Sequence, residues 1–304
     1  MNAISPRSKL RAVAPKAAEP AKPKVLIFGK PGVGKTWQAL DFPAVYYIDC
    51  EGGANLAHYT AKLEASGGVY LGIEHGSLDF ATVLEQVEAL ATERHPYRTV
   101  VIDSVTKLFQ ATISFEAERL ERENKKNEFG ADKKPAVSSM RRLVTKLTRL
   151  DMNAILIAHE KTEWGTDEKG NRVEVGATFD AWDKLEYELH LALHVSKRGQ
   201  SRYAKVRKTR LTGFPDGDQF DWTYDTFADR YGREVIEGEV KPIVLASPEI
   251  VAEIERLVGT VKLPEGWTEK ALTRAGADKW SELTDEQGEK TLNYLNNLMK
   301  GAAA

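Results

Sequence analysis

The chain has 304 residues, 42% hydrophobic and 29% charged, with a formal net charge of -2. That length can bury one substantial core and a small second unit, and the near-neutral sum excludes a uniformly basic nucleic-acid coat. The single cysteine, Cys50, excludes an intrachain disulfide and a cysteine-based zinc site, and no apolar run is long enough to span a bilayer, so a soluble protein of the reducing cytoplasm is expected.

Residues 1 to about 22 are rich in Ala and Pro and carry Arg7, Lys9, Arg11, Lys16 and Lys22 against Glu19, which predicts a disordered basic arm. Pro6, Pro15, Pro20 and Pro23 would interrupt the amphipathic helix of a transit peptide. The apolar run Lys24-Val25-Leu26-Ile27-Phe28 predicts a buried strand. It leads into Gly29-Lys30-Pro31-Gly32-Val33-Gly34-Lys35-Thr36, which fits the phosphate-cradling pattern G-x-x-x-x-G-K-[ST], and Trp37-Gln38-Ala39-Leu40 continues as a helix. Glycines let backbone amides approach phosphate oxygens closely; Lys35 then reaches the outer phosphates, and Thr36 offers a hydroxyl to Mg²⁺. Gly29, Lys30, Pro31, Gly32, Val33, Gly34, Lys35, Thr36 and Trp37 are therefore the expected nucleotide-binding stretch, with ATP and Mg²⁺ as ligands.

Residues 44–51 predict a second strand ending in acids, which places Glu51 at a strand end to act as a base. A short strand over 69–73 and a helix over 79–93, with Phe80, Val83, Leu84, Val87 and Leu90 on one face, come next. The strand over 99–104 ends in Asp103, whose carboxylate is placed to hold the water shell of the Mg²⁺ that Thr36 ligates. Residues 116–134 are charged, and Asn124, Asn127, Gly130 and Pro135 predict a helix breaking into a loop. On the helix over 137–150, Arg141, Arg142, Lys146 and Arg149 fit a solvated face and a DNA contact equally well.

Residues 152–159 predict a buried strand ending in His159, beside the expected terminal phosphate and suited to sensing it. Residues 160–178 predict a long polar loop with Gly165, Gly170 and Gly176. Strands over 187–195 and 201–207, joined by the turn Lys197-Arg198-Gly199-Gln200, predict an antiparallel edge, with the aromatic stretch 214–235 packed over it. Lys197, Arg198, Arg202, Lys205, Arg207, Lys208 and Arg210 form a cationic run free of acids. After 242–248 come helices over 249–258, 268–275 and 284–299, with cap signals for the last at 281–287. The expected units are an arm (1–22), a core (23–240) and a helical domain (247–300).

The order of these motifs resembles the RecA/RadA-like ATPase core, and looks most like short phage proteins of that core that bind and anneal single-stranded DNA. The resemblance covers about residues 24–235. It rests on the phosphate loop, on Tyr47-Ile48-Asp49-Cys50-Glu51, on Val101-Ile102-Asp103-Ser104, on the strand ending at His159, and on Val206-Arg207-Lys208-Thr209-Arg210. It implies an α/β RecA-like P-loop NTPase with a mostly parallel central sheet, antiparallel edge strands and a small C-terminal helical domain.

The resemblance further implies that Glu51 activates water, that His159 replaces the usual glutamine sensor, and that Lys208 and Arg210 reach the ATP of a neighbouring subunit. It implies adenine contacts among Asn55, His58 and Tyr59, and DNA-facing loops near 122–136 and 160–178. Trp164 is the one aromatic considered there for base stacking. The implied activity is an oligomeric, Mg-dependent ATPase of recombination or annealing in the cytoplasm of a bacterial or phage-infected cell. The implied partners are single-stranded DNA, further copies of the chain in a ring or filament, and a single-strand-binding protein or recombination exonuclease. An annealing protein in which ATP only drives assembly, and a ring-forming helicase-like motor, are the alternatives.

Overall fold

The computed structural model describes residues 21–302. The first strand, β1 (Lys24–Gly29), is buried at every position, because it lies mid-sheet with apolar layers on both faces. The phosphate loop joins it to α1 (Lys35–Ala39), followed by β2 (Val45–Asp49), α2 (Ala57–Ser66) and the short strand β3 (Val69–Leu71). The helix α3 (Phe80–Thr92) starts where Asp79 accepts the amides of Ala81 and Thr82. Then β4 (Thr99–Asp103) passes into α4 (Val105–Arg122), capped by the Ser104 hydroxyl, and α5 (Lys133–Arg149) returns to the sheet. Pro135 falls in the first turn of α5, where its missing N–H costs no helix hydrogen bond.

The chain goes on through β5 (Asn153–Thr166), β6 (Arg172–Phe179), α6 (Leu185–Glu188), β7 (Leu191–Arg198), β8 (Ser201–Thr209) and β9 (Gln219–Asp221). Two helices, α7 (Tyr224–Tyr231) and α8 (Arg233–Glu237), close the core, and α9 (Pro248–Thr260), α10 (Trp267–Ala275) and α11 (Asp285–Ala302) form the final unit. The strand order is β3-β2-β4-β5-β1-β7-β8-β9. The first six of these are parallel, β8 and β9 are antiparallel, and β6 pairs antiparallel with the outer half of β5. This is the expected α/β P-loop fold with antiparallel strands and C-terminal helices.

One apolar layer packs α3, α4 and α5 against the sheet, and the other packs α1, α7 and the aromatics Phe214, Trp222 and Phe227. The parallel register brings functional strand ends level. Gly29 is opposite His159, and Asp49 is opposite Asp103, which is opposite Ile157.

Four expectations are corrected here. Residues 1–20 of the basic arm lie outside the described residues, but Lys22 is buried and donates to the carbonyls of Ile236 (3.4 Å) and Gly238 (2.6 Å), so the core begins before it. The stretch 160–178 is no loop: β5 runs on to Thr166 and turns at Asp167, whose carboxylate accepts the amides of Lys169 and Asn171, into β6. Its alternation of β-branched and polar residues satisfies the backbone by pairing, which outweighs its polarity. Tyr187 belongs to α6, and β7 begins only at Leu191 and pairs with β1, so it is an interior strand rather than an edge.

The fourth concerns the cations of α5, read as solvated or DNA-facing. Arg142, Lys146 and Arg149 dock the C-terminal helices instead, and Arg141 lies over the Trp182 ring. Arg142 pairs with Asp278 at 2.5 Å, Lys146 bridges Glu88 at 2.7 Å and Glu282 at 3.4 Å, and Arg149 donates to the Gly276 carbonyl at 2.9 Å. The helical unit has its own core of Ile254, Leu257, Trp280, Leu283 and Leu295. Its last helix starts at the expected box, in which Thr284 and Gln287 exchange hydrogen bonds. No helix among the described residues is long and apolar enough to cross a membrane.

Candidate nucleotide site at the strand ends

The phosphate loop leaves β1 at Gly29, where a Cβ would collide with the Val195 carbonyl of β7. It enters α1 at Gly34, whose φ of 90° is costly for any residue with a side chain. Lys35 folds back over the loop, its Nζ donating to the carbonyls of Gly29 (2.8 Å) and Lys30 (2.9 Å). Burial holds its ammonium below the ordinary lysine range, against the pull of Asp103, Glu51 and Glu160. A half-buried cation held only by carbonyls is ready for a stronger acceptor.

Beside it the Thr36 hydroxyl donates to Asp103 Oδ2 at 2.5 Å, and the Tyr47 hydroxyl reaches the same oxygen at 3.2 Å. Asp103 is 4% exposed and has no ion-pair partner among the described residues; burial pushes its carboxyl up to about 6. A hydroxyl and one buried, unneutralised carboxylate make the donor set of Mg²⁺, which binds few protein oxygens, keeps several waters and shares substrate phosphates. The residues present fit that ion. Zinc-like clusters of three or more His, Cys, Asp or Glu are absent among the described residues.

The third group joins the loop after β2 to the end of β5. Glu51 Oε1 lies 2.8 Å from His159 Nε2 and accepts the Ser104 hydroxyl, which itself lies 3.4 Å from His159 Nε2. The His159 amide donates to Thr106 Oγ1 at 2.9 Å, fixing the strand end. Asp49, the other acid of the pair after β2, is buried and turned inward to accept the amides of Glu51, Gly52 and Ala54, so it shapes the loop that presents Glu51. Lys35, Thr36, Glu51, Asp103, Tyr59, His159 and Glu160 line one cavity of about 500 Å³.

Residues 21–213 match a family profile, AAA_24, described as an AAA domain. The chain belongs to that family. It is thus a P-loop AAA-type NTPase domain with a helical unit after it. No curated protein matches it. Among solved structures it is similar to one titled as the RadB recombinase, with a TM-score of 0.42 and 19% identity over 66% of this chain and 86% of that one.

Within the AAA domain, the structure separates the remaining predicted residues. Lys208 is level with Ala192 and so with Leu26, three residues short of Gly29, or about 10 Å from the phosphate-loop edge. Arg210 lies beyond the end of β8, where its amide donates to the His190 carbonyl. A bulge at Arg207 and the end of β8 at Thr209 break the simple alternation, yet both cations still meet: Lys208 donates to the Leu189 carbonyl and Arg210 to the Tyr187 carbonyl. They stand at the opposite edge of the sheet from their own phosphate loop, which excludes a role there in cis.

His58 and Tyr59 gather with Trp37, ring centroids 4.2 to 6.3 Å apart, and Lys62 Nζ lies 3.8 Å from the Trp37 centroid. Asn55 is exposed in the turn before α2. Trp164 is half-exposed on the β5–β6 hairpin with Arg172 over its ring at 4.5 Å, so it is no buried anchor. That hairpin is net acidic: Glu160, Glu163, Asp167, Glu168 and Glu174 against Lys161, Lys169 and Arg172. Residues 122–136 have the opposite balance, Arg122, Lys125, Lys126, Lys133 and Lys134 against Glu123, Glu128 and Asp132, and display Phe129 at 94% exposure.

Sequence reasoning passed over Tyr47, Ser104, Thr106, Glu160 and Phe129. The Ser104 hydroxyl is also the cap of α4, accepting the Lys107 amide at 3.2 Å. Nothing in the sequence pairs His194 of β7 with Glu160 at 2.8 Å, because only the sheet brings those residues together.

Proposed function

We propose that the protein is a Mg-dependent ATPase that works as an oligomer on single-stranded DNA in recombination or annealing. The observation that carries the hydrolytic part is the Glu51 carboxylate held by His159 and Ser104 in the same cavity as Lys35 and the Thr36–Asp103 pair. A carboxylate so held is oriented, half-exposed and able to take a proton from water. Loop amides and Lys35 bind the phosphates, and the Lys35 ammonium moves from the Gly29 and Lys30 carbonyls to charge that grows in the transition state. Thr36 and Asp103 would hold Mg²⁺, which when bound neutralises phosphate charge. His159, linked to Glu51 and anchored through Thr106, is placed to report whether the outer phosphate is present. The Trp37, His58 and Tyr59 rings offer a face for the base.

One feature supports the DNA part and another the oligomer. The cationic segment 122–136 with its displayed Phe129 combines phosphate attraction with a stacking surface. Lys208 and Arg210, unusable at their own loop, fit a head-to-tail oligomer in which that edge meets the neighbour's nucleotide. Measuring ATP turnover with and without single-stranded DNA tests the reading: turnover that requires Mg²⁺ and rises with DNA is expected. Tight ATP binding without turnover in either condition would leave the annealing reading, and duplex unwinding would favour the motor.

A further inference from the structure

The β7–β8 hairpin projects past the phosphate-loop edge of the sheet, and one of its cations turns inward. Arg202, opposite Lys197 in that hairpin, lays its side chain across Gly34, so closely that a Cβ on Gly34 would collide with Nε and Cδ. Its Nε is buried with no hydrogen-bond partner, and its guanidinium forms no ion pair or hydrogen bond among the described residues. Arginine in such a position usually meets a carboxylate, since a half-buried charge without a counterion is costly. Its neighbour Lys62 already holds Asp41 at 2.7 Å, so that acid is taken, and the ammonium of Lys62, lowered first by burial, also feels the charge of Arg202. Gly34 and Trp37, three residues apart, lie on one side of the start of α1, so Arg202 and the Trp37–Lys62 pair border the same flank of the loop.

An arginine with no acid of its own, at the helix end of a phosphate loop, describes an anion's place. We infer that Arg202 is a further nucleotide-binding residue that acts in cis, donating to the inner phosphates of a bound nucleotide. It belongs with the inner phosphates because it stands beside Gly34, at the end of the loop where backbone amides cradle the α- and β-phosphates, while Lys35 serves the outer ones. The guanidinium's free donors then find charged acceptors, and the burial of Nε becomes part of a fixed fork. The same contact gives Gly34 a second constraint besides its φ: any side chain there displaces Arg202.

The inference rests on the nucleotide reading, and calorimetry separates the two. Mg·ATP and Mg·ADP are titrated into wild type, Lys35→Ala, Arg202→Met and Arg202→Lys, with melting temperature recorded for each. Arg202→Met keeps the aliphatic cover over Gly34 and is expected to lose about tenfold in affinity for both nucleotides alike, with Arg202→Lys recovering part of it. Affinities equal to wild type in a folded Arg202→Met protein overturn the inference while the nucleotide reading stands. So does a loss confined to ATP, which would put the cation at the outer phosphate, or a loss confined to single-stranded DNA. A wild-type protein that binds neither nucleotide overturns the nucleotide reading and this inference together.

Discussion

His159 at the end of the buried half of β5 and Glu51 in the loop after β2 are joined by a 2.8 Å contact between Nε2 and Oε1, across the strand that carries Asp103. Two strands that never touch are thereby coupled at their tips. In the mechanism proposed above, the sensing residue would hold the residue that acts on water, so a change at one is expected to disturb the other.

That coupling sets the first expectation. Glu51→Gln keeps size and hydrogen bonding but removes the base, so ATP turnover should fall by about 10² or more while Mg·ATP affinity holds. His159→Ala frees the carboxylate and should lower turnover by a smaller factor, again with binding retained. Wild-type turnover in Glu51→Gln would move the base elsewhere.

Lys208 and Arg210 give the second. A Lys208→Ala/Arg210→Ala protein should bind ATP as a monomer, lose assembly-dependent turnover, and melt lower because the carbonyls of Leu189 and Tyr187 lose their donors, at about 0.5–1.5 kcal/mol each. Mixed with Glu51→Gln it should regain part of the activity, since some interfaces then pair an intact Glu51 with intact cations. Normal turnover of the double-alanine protein, with no gain on mixing, would reduce both residues to a structural role.

The third concerns Phe129. Its exposure among lysines predicts that Phe129→Ala weakens single-strand binding about tenfold, within the 1–3 kcal/mol of a stacked base, while leaving the salt dependence unchanged because no charge is removed. Lys125→Ala/Lys126→Ala should instead flatten the salt dependence. Trp164→Ala, on an acidic hairpin and already covered by Arg172, should matter less. Fluorescence anisotropy over a salt series reads all three, and an unchanged affinity in Phe129→Ala would remove the stacking role.

A fourth follows from Lys24 at the foot of β1. Its ammonium is buried against the carbonyls of Leu150 and Met152, and burial pushes it down to about 7. Between pH 7 and the ordinary lysine range, the unfolded chain holds a proton there that the folded chain has released. Stability therefore rises with pH across that window, by up to about 1.4 kcal/mol per unit from this residue. Denaturant unfolding of Lys24→Met from about pH 7 to pH 9 should show a shallower rise than wild type; equal slopes would mean that Lys24 titrates normally.

The phosphate loop, the acid ending β4 and the apolar strands around them were legible in the sequence, because each is a local pattern: a glycine spacing, an acid after a β-branched run, a 3.6-residue stripe. Local capping likewise placed α11 at Thr284. What the sequence by itself determined was therefore an α/β P-loop nucleotide domain followed by a helical unit. Only the tertiary structure decided which of its many charges share a site, since strand order and register set distances between residues far apart in the chain. Register put Lys208 and Arg210 at the edge away from their own loop and Arg202 against Gly34, though all three belong to one cationic run. Packing of the last helices claimed Arg142, Lys146 and Arg149, and pairing turned a polar stretch into the β5–β6 hairpin. Hydrogen bonds act within a few ångströms and exposed charges are screened over about 10 Å, and separations of that kind between distant segments exist only once the sheet has formed.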